Sequence, residues 1–304
     1  MSPRHFFLFF LVCLVWGVNF VVAKWSVTGQ PVIVPGFEGS PPFFFAFMRH
    51  LGLYACLAPW LFPIPRPIGP VILTGLMMGA VQYSLMFLAL QFATPSSLAI
   101  TVQLTVPFMT ILSVIFLKEK VRWVRITGMG MAFVGVGLVI AKPGELSLTF
   151  GLLIGVGAAF AAAAGSILVK KVQMGVIQMQ AWIGLVSFPP LLLATLLFEH
   201  DQLARSVAGG WTFVAALGYT IVLVNIFGHG VYYLMLKRYD ASLIAPLTLM
   251  GPLIGVLSGV FITGDAISWQ MIVGGLLALG GVGIVAARRA RTINPAEVMQ
   301  RPRP

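Results

Sequence analysis

Eight polar residues, Asn19, Arg49, Gln82, Tyr83, Gln103, Asn225, His229 and Tyr232, interrupt stretches of the sequence that are otherwise apolar. Within such runs a polar side chain is costly and turns toward a protein interior or a water-filled cavity, so these residues are the candidates for chemistry. Arg49 is the foremost of them, because its permanently charged planar fork suits a carboxylate. Its other reading is a side chain that snorkels to headgroups or bonds a helix-end carbonyl, with His50 beside it. Asn19, a turn from Trp16 and Ala23, offers an amide donor and acceptor either to a zwitterion or to a neighbouring helix. Gln82 and Tyr83 fall at the same depth as Asn225, His229 and Tyr232, which points to one midplane cavity, unless the tyrosines and glutamines satisfy each other. His229 is read as the mid-span group that titrates near neutrality, with a neutral imidazole bonded to a backbone carbonyl as the alternative. Gln103 lies beside Pro107, and Pro107 and Pro252 are expected to hinge or shape a cavity, not to bind ligand. Lys24, nearer a span end, is expected to snorkel.

The carboxylates tell the opposite story. Glu38, Glu119, Glu145, Glu199, Asp201, Asp240, Asp265 and Glu297 all fall in loops, span ends or the tail. No cluster of His, Asp or Glu lies at membrane depth, so no catalytic residue, metal or cofactor is expected and an enzyme is disfavoured.

The elements that hold these residues are membrane spans. With 59% hydrophobic and 9% charged residues over 304 positions, and a mean hydropathy of +0.99, the chain cannot cover itself with a water-facing surface. Apolar runs long enough to cross a hydrocarbon core follow one another, at 6–25, 42–62, 68–92, 96–117, 122–141, 149–170, 178–198, 211–236, 240–262 and 267–287. The expected fold is therefore an all-α membrane protein of ten transmembrane helices. A net charge of +11 would suggest nucleic acid in a soluble protein, but here its distribution orients the spans. Placing the N-terminus in the cytoplasm leaves only Lys24, Arg49, Lys142 and Arg205 outside and the other 15 of the 19 basic residues inside, with both termini cytoplasmic. Cys13 and Cys56 lie in apolar runs and are expected to be free thiols.

The chain also repeats itself. Residues 96–120 recur at 241–265, an offset of 145, with Ser97/Ser242, Leu98/Leu243, Leu104/Leu249, Pro107/Pro252, Ser113/Ser258 and Phe116/Phe261 in register. One inserted residue later, Trp123, Gly128, Ala132 and Gly135 meet Trp269, Gly274, Ala278 and Gly281. Two units follow, 1–142 and 143–288, with a basic, proline-broken tail at 289–304 beside anionic lipid. Five spans per unit put the second copy in the membrane upside down, an inverted repeat of the kind on which transporters are built. Small residues at fourfold spacing, such as Gly128/Ala132 and Gly274/Ala278, suit close helix packing, and the fifth and tenth spans are assigned to scaffold or to the contact of a homodimer. The connection 26–42, rich in proline and glycine, either caps an outer vestibule or is a passive linker.

WGVNFVVAK at 16–24, Arg49, the FLKEK end of the fourth span with Glu119, and the glycine-rich fifth and tenth spans resemble the EamA family of the drug/metabolite transporter superfamily. Within it, WGVNFVVAK, QYSLMFLALQFATPSSLAITVQ and YYLMLKRYDASLIAPLTLMGPLIGVLSG are most similar to bacterial O-acetylserine/cysteine exporters. The resemblance implies a ten-helix fold with a central cavity and export of small amino-acid-like metabolites from the bacterial inner membrane. An exporter of aromatic or drug-like molecules on the same architecture is the second reading. Two features depart from the family: Gly264 precedes Asp265 where the first copy has Lys118 before Glu119, and the 26–42 connection is longer than usual.

Overall fold

The computed structural model describes residues 1–29, 34–118, 121–141, 146–169, 172, 174–239, 244 and 247–289, and among them every regular element is helical. Residues 30–33 of the long connection, Glu119, Lys120, Lys142, Glu145, Lys170, Lys171, Asp240, Ser242, Leu243 and the tail beyond Arg289 lie outside the described residues.

The principal helices are α1 (Pro3–Thr28), α2 (Pro42–Leu57), α3 (Ile68–Phe92), α4 (Pro95–Leu117), α5 (Trp123–Ile140), α6 (Leu146–Val169), α7 (Val176–Phe198), α8 (210–238), α9 (Met250–Thr263) and α10 (Trp269–Arg289). Eight of them, all but α2 and α9, are long and apolar enough to cross a membrane. The expected second span departs from a single α-helix. It runs for 16 residues and then tightens into a 3-10 turn, Ala58–Leu61, because Pro59 and Pro63 lack the N–H that would continue it. Large apolar side chains cover the outside: Phe116, Leu197 and Trp269 are each 63% exposed, a surface suited to lipid and not to water. Cys13 is buried and Cys56 exposed, both as free thiols.

Helix ends are set by local chemistry. Thr94 accepts the Ser97 N–H through its hydroxyl, with Pro95 in the first turn of α4, and Gly29, at a φ of +79°, closes α1. Pro107 and Pro252 each follow a local departure from α-helix, the 3-10 turn Val102–Leu104 within α4 and the turn at 248–249 before α9. Each is the third residue of a fresh helical segment, Thr105–Leu117 and Met250–Ser258, where a missing N–H costs no helix bond. The residues just before those segments, Leu104 (φ −60°, ψ −12°) and Leu249 (φ −66°, ψ −15°), take nearly the same conformation. α3 and α8 both widen into π-helix, at Leu76–Val81 and Tyr219–Gly228.

Packing is pairwise. α1 lies against α9 and α8, α6 against α4 and α3, α2 against α7, and α5 against α10. The α5–α10 pair meets backbone to backbone: a Cβ on Gly135 would strike the Ala278 N and Gly274 O, and one on Gly128 would sit 2.9 Å from the Gly281 O. These two helices therefore spend their glycine faces on each other, within one chain.

At one end of the bundle, charged side chains tie the helices through backbone groups. Lys24 does not snorkel; its Nζ donates to the Leu90 (2.6 Å) and Ala93 (3.2 Å) carbonyls at the C-terminus of α3, where the helix dipole favours a cation. Asp265 accepts the Ser96 N–H at 2.9 Å and the Thr263 hydroxyl at 2.7 Å. Glu199, just past α7, accepts the N–H groups of Phe43 (2.8 Å) and Phe44 (2.9 Å) at the start of α2. Glu199→Gln is expected to lower the unfolding free energy by about 1–2 kcal/mol, because a neutral amide is a weaker partner for a helix N-terminus. A thermal melt of the detergent-purified variant reads this, and an unchanged melting temperature would refute it. The long connection is held at the same end: Ser40 bonds Ser206 of the short helix Gln202–Ala208 (2.7 Å), and Arg205 reaches the Gly39 carbonyl (3.1 Å). At the opposite end the Tyr239 hydroxyl lies 2.6 Å from His5 Nδ1 and accepts the Ser2 N–H, a bond that holds its pKa below the usual phenol value.

Candidate functional site

Midway between those ends, α2, α3, α7 and α8 surround a cavity of about 90 Å³. Its polar lining is Gln82 and Tyr83 from α3, Asn225 and His229 from α8, His50 from α2 and Gln180 from α7. It also reaches Val169 and Val176, the last residue of α6 and the first of α7, and so extends toward the Tyr239 end. Four of the residues singled out by sequence thus come together: Gln82, Tyr83, Asn225 and His229. The π-helical stretches adjoin these residues: Gln82 directly follows the one in α3, Asn225 lies within the one in α8, and His229 directly follows it.

Arg49 stands one side chain behind the wall. It is 0% exposed, so it does not snorkel. Its Nη2 donates to Asn225 Oδ1 at 2.8 Å, and its guanidinium lies 3.9 Å from the centroid of the Tyr83 ring and 6.0 Å from that of Phe87. A cation over an aromatic face is favourable, but it does not use the N–H groups. Arg49 Nε and Nη1 and Asn225 Nδ2 are buried without a hydrogen-bond partner. At an effective dielectric near 20, an anion about 6 Å from such a charge is attracted by roughly 3 kcal/mol.

The two histidines are turned the same way. Nδ1 of His50 lies 2.7 Å from the Ala46 carbonyl and Nδ1 of His229 lies 3.1 Å from the Val224 carbonyl. A carbonyl only accepts, so each Nδ1 carries a proton, and the neutral ring keeps Nε2 as an acceptor. Val224 O also accepts from Trp16 Nε1 at 3.3 Å, and the Trp16 ring packs on His229 and Tyr232.

The remaining candidates lie elsewhere. Asn19 is buried on α1, its Oδ1 without a partner, but it is not among the residues lining the cavity. Gln103 is half-buried in the tight turn before Pro107, and Tyr232 packs against Trp16 and Phe9; neither lines the cavity. Sequence reasoning gave His50 no role at the cavity and left Gln180 out. Both are polar residues inside apolar runs, the same signal that marked the others.

The family described as "EamA-like transporter family" matches residues 4–141 and again 149–287. A "Probable amino-acid metabolite efflux pump" of Salmonella typhimurium is 29% identical over 297 residues, covering 93% of this chain and 95% of the relative. A protein of the same description from Escherichia coli is 27% identical over 297 residues, with the same coverage. A solved crystal structure at 20% identity superimposes with a TM-score of 0.60 over 96% of this chain and 100% of its own, a likeness of fold.

Proposed function

The chain belongs to the EamA-like transporter family, and from that premise we propose that it is a secondary transporter exporting small amino-acid-like metabolites, of the O-acetylserine and cysteine type, by alternating access. The observation that carries this reading is the buried Arg49 behind Tyr83 and Asn225: a cation without an acid, one side chain from a small cavity at mid-bundle. The relatives' description as amino-acid metabolite efflux pumps supports the same substrate class.

The transport cycle rests on two inverted halves, 1–142 and 143–288, with the tail 289–304 beside the cytoplasmic leaflet. Exchange of the halves turns α1–α9 into α6–α4, turns α1–α8 into α6–α3, and returns α2–α7 and α5–α10 to themselves, so the observed pairs support a two-fold relation. The glycine contacts support it more sharply. Gly128 against Gly281 becomes Gly274 against Gly135, and both contacts are present. A ninth crossing fits by length, since α2 with its 3-10 turn reaches about 32 Å, enough for a hydrocarbon core of about 30 Å, and the tenth, α9, rests on its correspondence to α4 in the repeat. We place both termini in the cytoplasm from the distribution of Lys and Arg, and the chain in a bacterial inner membrane, since outer-membrane spans are strands of closed barrels.

The second reading, an exporter of aromatic or drug-like molecules, is less well supported. Its best support is an apolar cleft of about 250 Å³ lined by Trp25, Phe37, Trp211, Phe213 and Tyr219, which carries no charged group, whereas the mid-bundle cavity gathers the polar side chains that suit a small polar solute. Proteoliposomes loaded with labelled cysteine, O-acetylserine or a bulky aromatic cation decide between them, with and without a proton gradient. Efflux of the amino acids above protein-free vesicles is the expected result. Efflux of the aromatic cation alone would replace this reading with the second.

A further inference from the structure

We infer that the feature selected by this site is the carboxylate of its substrate, and that the amino group is dispensable; the inference rests on the transport reading above. Three buried groups without partners, Arg49 Nε, Arg49 Nη1 and Asn225 Nδ2, belong to one hydrogen-bonded pair, and all three are donors. A buried guanidinium with no counter-ion is a costly arrangement, relieved best by an anion with acceptor oxygens to spare. Among the described residues no protein carboxylate supplies it. Glu199 is engaged by Phe43, Phe44 and Thr195, Asp265 by Ser96 and Thr263, while Glu38 and Asp201 are exposed.

Among the groups at this cavity nothing comparable awaits an ammonium group, since the partnerless buried oxygen of Asn19 is not part of its lining. The rest of the polar lining, Gln82, Gln180, His50 and His229, carries no negative charge, and both histidines already give their Nδ1 protons to backbone carbonyls. These neutral acceptors meet an amino, hydroxyl or amide group on similar terms, since each such group donates at least one hydrogen bond. The site is therefore charge-asymmetric: complementary to one anion and indifferent to a cation. It should carry small 2-hydroxy acids and N-acyl amino acids beside amino acids, and it should refuse amino-acid amides and esters, which keep the ammonium but have lost the charge that Arg49 awaits.

The test uses the full-length protein in proteoliposomes, loaded separately with labelled serine, glycerate, N-acetylserine and serine amide. Serine and its hydroxy analogue glycerate are expected to leave at rates within about threefold of each other, N-acetylserine to leave above the protein-free background, and serine amide to leave at least about tenfold more slowly than serine. Arg49→Lys should keep this ranking at reduced rate, because it retains the charge and loses the fork. Arg49→Gln should bring the acids down to the rate of the amide. Serine amide leaving as fast as serine, or serine carried while glycerate is refused, overturns the inference and leaves the transport reading intact. Efflux of none of the four overturns both.

Discussion

Arg49→Met is expected to lower efflux of amino-acid substrates by about 10- to 100-fold while leaving the protein as stable as before, or more so. The two effects come from the same atoms. A charge-assisted bond to a carboxylate contributes roughly 1.5–3 kcal/mol, so its loss accounts for a rate change of that order. In the absence of substrate the same guanidinium is buried, 0% exposed, with two of its nitrogens unpartnered. Replacing a buried charge with an apolar side chain of similar length is often neutral or stabilising, by about 1–4 kcal/mol. Methionine fills the space between Tyr83 and Phe87 with a flexible thioether that packs well on rings. Against this stands the Asn225 Oδ1, which loses its donor at a cost of about 1 kcal/mol. Efflux from proteoliposomes and melting in detergent, measured on one preparation, separate the two effects. A melting temperature that fell in proportion to activity would make Arg49 a structural residue, and the site would have to be sought elsewhere.

Gly135→Leu is expected to abolish folding into the membrane. Its Cβ would meet the backbone at Ala278 N and Gly274 O, and backbone cannot move aside as a side chain can. Overpacking of this kind costs about 1–3 kcal/mol where neighbours yield, and more where they do not. The helix carries its own controls, because Gly130 and Gly137 have no atom within 4 Å of an added Cβ. Leucine there should be tolerated. Gly281→Leu, which strikes the Gly128 O and Ala132 N from the other helix, should match Gly135→Leu. Monodispersity on size exclusion reads all four variants, and comparable loss at Gly137 and Gly135 would show that helix propensity, and not the α5–α10 seam, governs the result.

The duplication was legible because paired positions such as Leu104/Leu249 and Gly128/Gly274 keep identity across an offset. The cavity was legible in part for a simpler reason. Within an apolar run a polar residue stands out, so Gln82, Tyr83, Asn225 and His229 could be named before their helices were placed. Which way each helix is rotated is set by its neighbours, and that is why Asn19, Gln103 and Tyr232 were drawn into the same set although they line no part of the cavity. The ties at Lys24, Glu199 and Asp265 were illegible for a related reason. Each joins a side chain to backbone groups 66 or more residues away, and a backbone N–H or carbonyl leaves no mark in a sequence. The π-helical widening of α3 and α8 was equally hidden, since Leu76–Val81 and Tyr219–Gly228 have ordinary apolar composition.

Those widened stretches are places where a helix can change register without breaking. A π turn takes in more residues than an α turn, and sliding it along a helix trades i→i+5 for i→i+4 bonds one at a time, so no backbone group is bared to lipid. Each residue it passes rotates by about 100° about the axis. Gln82 and His229 are the first residues beyond the two stretches, and Asn225, which holds Arg49, lies inside one of them. A shift of either stretch by one position would rotate Gln82 or His229 and leave the helix whole, so the two polar groups at the cavity stand where a change of helical register costs least.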